Sequence, residues 1–184
     1  MPHVPSAIED VVREFNARSL YAAMDAQRVD RWLSWPQVAA EIWDQSVVLN
    51  GRRGDHPISA STLTGIAKRG DCTCQHALFI LRWLGRIPES FLAPAQSSED
   101  GAILPIAGTD ERLRWNLAAL AEAVGTRRLE RGLTWKALAT ELDCSEHQVQ
   151  GLRTVRYAIG MRLAMRIVQW LEQPAAAFIY AATW

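Results

Sequence analysis

The chain has 184 residues, about half of them apolar, with 20 basic and 20 acidic side chains, eight tryptophans and three cysteines. That length suits one ordinary domain or two small ones, and the zero formal charge argues against a general, charge-driven nucleic-acid binder. The three cysteines cannot all pair and do not follow a disulfide framework, so they read as reduced thiols. No apolar run approaches membrane length, and the predicted setting is the cytoplasm.

Ser6-Ala7-Ile8-Glu9 has a capping-box pattern and predicts a short helix through about Asn16, with Ile8, Val12 and Phe15 on one side. Asn16 is the expected cap of a second helix, Arg18 to Trp32, facing inward through Leu20, Met24 and Val29. Ser34-Trp35-Pro36 starts the next one, since Ser caps and Pro is tolerated in a first turn. Fourteen residues, 44–57, then interrupt the pattern. Asp44 to Leu49 could extend the helix to a cap at Asn50-Gly51, which leaves Arg52 to Pro57 as a polar loop. Arg52 and Arg53 read there as a basic finger for phosphates or as solvated side chains.

Ser59 caps the following helix, with Leu63 and Ile66 inward. Its outward residues Ala60, Ser61, Thr62 and Thr64 are small enough for close approach to a DNA groove, with Lys68 and Arg69 as phosphate contacts. Cys72-Thr73-Cys74-Gln75-His76 has soft metal-ligand chemistry, but two thiols one residue apart strain a shared tetrahedral site; packing or capping is the better reading and no metal is assigned. An apolar helix, Ala77 to Leu84, and a closing turn through Leu92 follow. Residues 93–109, rich in Pro, Ser, Gly and Ala, read as a flexible linker averaging about 21 to 25 Å end to end.

Thr109 is predicted to cap a long helix to about Arg131, with Leu113, Leu117, Leu120 and Val124 inward. From Gly132 to Arg153 the apolar spacing describes two short helices crossing at a turn: Leu138 and Leu142 line the first, Ala139 is small at the crossing, and Val149 and Leu152 line the second. Asp143 suits a left-handed turn residue and Ser145 a cap. Glu146, His147, Gln148, Gln150 and Arg153 point outward and carry base-reading chemistry. Trp135 is a candidate to donate its indole N–H to a phosphate or to pack between helices, and Lys136, Arg127 and Arg128 read as backbone contacts or, more simply, as solvated charge. After another apolar helix, from Ala158 to Leu171, the tail from Pro174 to Trp184 is apolar enough to cover its own module, join the two halves, or form a face for a homodimer or protein partner.

The halves repeat each other. Leu20 aligns with Leu120, Arg28 with Arg128, Arg31 with Arg131, Trp35 with Trp135, Ala39 with Ala139 and Glu41 with Glu141. Past the 44–57 insertion, Ser59 meets Ser145, Gly65 meets Gly151, Trp83 meets Trp170 and Phe91 meets Phe178.

Ala139, Asp143, Cys144, Val149 and Leu152 fall where the lambda-repressor-like, Cro/XRE-type helix-turn-helix family has its small, turn and inward residues, although the turn is usually Gly. The sequence resembles that family over about residues 110 to 180. The resemblance implies an all-α chain of two helix-turn-helix domains of four to five helices each, 1–92 and 110–184, with the third helix of each reading double-stranded DNA. The function expected is sequence-specific transcriptional regulation by two unlike modules. The alternative is a protein-interaction adaptor or antitoxin-like partner binder whose DNA faces have lapsed. From Asp110 to Trp184 ten basic residues face eight acidic ones, and from Ser19 to Leu92 eight face seven. No phosphate loop, nucleophile elbow or paired-carboxylate pattern points to an enzyme, and no cofactor is expected.

Overall fold

The computed structural model describes residues 12–94, 102–154 and 159–184. The fold is mostly helical with two small two-stranded sheets. The first repeat contains β1 (Glu14–Phe15), α1 (Ala17–Asp30), α2 (Trp35–Asp44), α3 (Val47–Arg53), α4 (Ala60–Arg69), α5 (Cys74–Leu84) and β2 (Leu92–Ala93). The second contains β3 (Arg112–Trp115), α6 (Leu117–Glu130), α7 (Trp135–Glu141), α8 (Glu146–Thr154), α9 (Met161–Trp170) and β4 (Ile179–Ala182).

Local chemistry sets most helix starts. Asn16 and Asn116 accept from the backbone N–H three residues on, as do Ser59, Thr73 and Thr134. Gln37 Oε1 accepts from both the N–H and the hydroxyl of Ser34, each at 2.8 Å. Gly54, Gly70 and Gly85 end α3, α4 and α5 in the left-handed conformation that lacks a Cβ penalty.

The sequence repeat is also a repeat of contacts. Arg31 and Arg131 each pair with the carboxylate ten residues on, Glu41 and Glu141. These carboxylates accept an indole N–H from Trp83 and Trp170, each at 2.8 Å. Arg28 and Arg128 donate to the carbonyls of Leu33 and Leu133, and lie over the rings of Trp35 and Trp135. Asn16 N–H donates to Phe91 O and Asn116 N–H to Phe178 O.

The all-α expectation needs correction at both repeat edges. β1 pairs antiparallel with β2, and β3 with β4, so that Trp115 lies opposite Ile179 and Arg112 opposite Ala182. The helix expected from Thr109 starts instead at Leu117 under an Asn116 cap. Leu113 had matched the helical stripe only because it precedes Leu117 by four residues. The alternation Arg112-Leu113-Arg114-Trp115 is a strand signal. The helix expected from Ser6 falls partly outside the described residues, and its last part is β1. Val29, expected inward, is 56% exposed. The apolar tail covers its own repeat as β4, with Phe178, Ile179 and Ala182 buried and Trp184 exposed.

The buried residues of the two repeats form one contiguous cluster. α5 is buried on nearly every side, from Ala77 through Leu81, because it packs on α1 and α2 of its own repeat and on α9 and β3 of the other. The contacts across the junction are reciprocal. Thr73 pairs with Gly160, its equivalent in the other repeat; Cys74 N–H donates to Ile159 O and Met161 N–H to Cys72 O. β3 lies against α5 while β1 lies against α9. Contacts in which i meets j and the equivalent of j meets the equivalent of i mark a twofold, isologous arrangement. The two repeats are therefore related by a pseudo-twofold axis passing between Thr73 and Gly160.

The 44–57 insertion breaks this symmetry. Instead of capping at Asn50-Gly51, α3 continues to Arg53, and its N-terminus grips the second repeat: Val48 and Leu49 N–H groups donate to Thr109 O at 3.0 and 3.3 Å. The Ser46 hydroxyl donates to Glu111 O at 2.6 Å. Arg112, only 4% exposed, donates through Nε to Asn50 Oδ1 at 3.2 Å and through Nη2 to Asp55 Oδ2 at 2.8 Å. From α5, Arg82 reaches the carbonyls of Gln45, Ala107, Gly108 and Glu111. Of the expected flexible linker, residues 95–101 lie outside the described residues. Residues 107–109 are held by these bonds rather than coiling freely.

Candidate nucleic-acid interface

The second repeat builds the expected pair of crossing helices. α7 ends at Glu141, Asp143 takes the left-handed conformation at φ 47°, and α8 starts after Ser145. Ser145 and Gln148 cap reciprocally: the Ser145 N–H donates to Gln148 Oε1 at 2.9 Å and the Gln148 N–H to Ser145 Oγ at 3.2 Å. Val149, Gly151 and Leu152 are buried against the repeat, whereas Glu146, His147, Gln148, Gln150 and Arg153 are exposed. The turn is braced by α9 of its own repeat, which is tied across the junction to β1. Arg166 of α9 donates to the carbonyls of Leu142 and Asp143 while also pairing with Glu14 of β1.

Arg153 is not splayed into solvent. Its guanidinium lies 4.7 Å from the centroid of Trp135, and Arg128 stacks on the same ring at 4.3 Å. Trp135 thus holds the guanidiniums of Arg128 and Arg153 against one ring, and Lys136, the next residue of α7, is exposed. Arg127 is otherwise engaged, bonded to Leu171 O and Glu172 and lying over Trp170. It does not join this cluster.

In the first repeat α4 occupies the place of α8, with Leu63 and Ile66 wholly buried and Ser61, Thr64, Lys68 and Arg69 exposed. Ala60 and Thr62 are half-buried. The hydroxyls are partly committed inside the helix: Ser59 Oγ lies 2.9 Å from both Ser61 Oγ and Thr62 Oγ1, and Thr64 donates to Ser61 O. Arg69 folds back along the helix to donate to Thr62 O at 3.0 Å, crossing Gly65, where a Cβ would meet its guanidinium.

The basic finger expected at Arg52 and Arg53 takes another form. Both residues are exposed in the last turn of α3, and Arg53 lies 3.5 Å from Asp55, the carboxylate that also holds Arg112. The insertion's polar residues mainly clasp the second repeat. Asn50, Asp55, Arg82 and Arg112 were missed by the sequence reading, because an asparagine or arginine inside an amphipathic stretch reads as solvated until its distant partner is known.

Cys72 and Cys74 are buried. Burial pushes the Cys72 thiol up to about 12, raises Cys74 as well, and lowers His76. Thr73 Oγ1 accepts from His76 N–H, so the segment acts as the start of α5. Among the described residues no group of three or more His, Cys, Asp or Glu side chains is placed to hold a metal ion. No helix among them is long and apolar enough to cross a membrane. Comparisons with protein-family models, curated proteins and solved structures find no match to this chain.

Proposed function

We propose that the chain is a sequence-specific DNA-binding regulator in which one polypeptide supplies both reading helices, α4 and α8. The observation that carries the reading is α7-turn-α8. A left-handed turn at Asp143 and a reciprocal cap at Ser145 expose glutamines and an arginine along a helix buried only through Val149, Gly151 and Leu152. In helix-turn-helix proteins such a helix enters the major groove, and two chains normally meet on a twofold axis that mirrors the operator. The reciprocal contacts between the repeats support the same kind of arrangement within one chain. Because the outward residues of α4 and α8 differ, the target is two inverted but unlike half-sites. Gln148, Gln150 and Arg153 read one; Ser61, Thr62 and Thr64 read the other, with Lys68, Arg69 and Lys136 on phosphates.

Replacing Arg153 with Ala tests base reading. If Arg153 contacts guanine, affinity for the selected duplex falls by about 1 to 3 kcal/mol with little change on random duplex. Equal losses on both would reject base reading at Arg153.

A protein-interaction reading is favoured by one specific observation. Trp32 is 94% exposed and strained at φ 55°, where its equivalent is Gly132 at φ 64°. A partner seated there would be lost with Trp32→Gly, whereas DNA binding would not.

A further inference from the structure

The two ends of the Gln148 amide are not equally available. Its Oε1 accepts from the Ser145 N–H at 2.9 Å and from the Ser145 hydroxyl at 3.2 Å. A backbone N–H can only donate, so the amide atom facing it is the oxygen, and the orientation of the group follows. An amide oxygen has two lone pairs, and both are engaged here. The Ser145 hydroxyl accepts from the Gln148 N–H at 3.2 Å, which leaves its own proton for Oε1. None of these bonds uses Nε2, and Gln148 is exposed. The equivalent residue in the first repeat is Thr62, three residues past Ser59 as Gln148 is past Ser145. Thr62 is half-buried with its hydroxyl 2.9 Å from Ser59 Oγ, so α4 has no amide at this position.

We infer that Gln148 reads its base as a donor alone, selecting a keto oxygen in the major groove, O6 of guanine or O4 of thymine. This rests on the DNA-reading proposal and narrows it. The glutamine–adenine pair needs the amide oxygen to accept from N6 while the nitrogen donates to N7. At Gln148 that oxygen is held by the cap, and turning it to a base would strip the Ser145 N–H and hydroxyl of their acceptor. What remains is Nε2, which only donates. Facing adenine N6 or cytosine N4 it meets another donor, whereas guanine and thymine present an acceptor at the same place on the edge. Each base pair carries one keto and one amino group, so the preference is one of strand sense: G·C or T·A over C·G or A·T.

Selecting bound duplexes from a random library with the full chain, as wild type and as Gln148→Met, identifies the base pair: the variant loses the preference that the wild type shows there. Anisotropy titrations on four duplexes that differ only at that pair then read its chemistry. The wild type should prefer G and T over A and C by at least about fivefold, near the lower end of the cost of one mismatched pair. Gln148→Met should bring the four within about twofold of one another. Gln148→Glu keeps an acceptor for the Ser145 N–H, as in a capping box, but turns the remaining donor into an acceptor. Its preference should invert to C and A at an unchanged melting temperature. Circular dichroism establishes that each variant is folded; should Gln148→Glu bind too weakly to rank the duplexes, the wild-type order and Gln148→Met decide. Adenine preferred by the wild type, a keto preference that survives either variant, or enrichment with no pair sensitive to Gln148, as for a phosphate contact, would each overturn the assignment and leave DNA reading intact. A wild-type selection with no enrichment would overturn DNA reading itself, and this assignment with it.

Discussion

Replacing Arg112 with Met removes the guanidinium at the centre of the clasp and keeps an apolar stem of similar reach. Asn50 is wholly buried, and its Oδ1 loses both of its Arg112 donors. An orphaned buried acceptor costs about 1 to 3 kcal/mol. Asp55 also loses its 2.8 Å partner, but its side chain is 34% exposed and water can replace much of that bond, so about 1 kcal/mol is the most it adds. The expected destabilisation is about 1 to 4 kcal/mol, a large share of the roughly 5 to 15 kcal/mol that holds an ordinary domain folded. In a chain of this size the melting temperature should fall by on the order of 2 to 16 °C. Urea unfolding followed by circular dichroism measures the loss. Asn50→Ala, alone and combined with Arg112→Met, gives the coupling, expected to be at least about 1 kcal/mol for groups in one network. A loss under about 0.5 kcal/mol with no coupling would refute the clasp and leave residues 44–57 a solvated insertion.

Three further outcomes follow. Trp32→Gly should stabilise the fold by about 1 kcal/mol or less, since strain is relieved but unfolded-chain entropy rises, and Gly132→Ala should destabilise it by about 1 kcal/mol; opposite signs at equivalent turns are the check, read by urea denaturation. Glu41 is held below its ordinary value by hydrogen bonds from Arg31 and Trp83, and Glu141 by hydrogen bonds from Trp170 and then Arg131. A carboxyl lowered in the folded state stabilises fully above its unfolded value and loses that contribution as pH falls through its folded value. Stability should therefore drop as pH is lowered below about 4.5, and the Glu41→Gln/Glu141→Gln variant, less stable at neutral pH, should show a shallower drop in an acid titration. Arg166→Met should weaken duplex binding without touching DNA, because it frees the α7–α8 turn from β1; anisotropy titration beside a melting curve separates this from global unfolding.

What the sequence made legible was local. The caps at Asn16, Ser34, Ser59 and Ser145, the left-handed Asp143 and the inward stripe of Val149 and Leu152 each depend on residues within a turn or two. The register between repeats was legible for the same reason, since Arg31 with Glu41 and Arg131 with Glu141 sit at equal spacing. The junction was not. Thr73 and Gly160 meet because two apolar helices, α5 and α9, bury a shared face, and nothing in either segment alone names the other. Asn50 and Arg112 are separated by most of a repeat, and each reads as solvated until they are brought together. The strands were hidden for a different reason: β3 has four residues, and its Leu113 also satisfied the spacing of the helix after it.

The clasp and the docked residues 107–109 hold the repeats in one orientation, so the central claim is two unlike reading helices at one fixed separation. Selecting bound duplexes from a random library with the full chain tests it most directly. The account predicts enrichment of two inverted, unlike half-sites at a single spacing, with Gln148→Ala altering one half and Thr64→Ala only the other. A library that shows no enrichment over its input would contradict it, and so would half-sites recovered at many spacings.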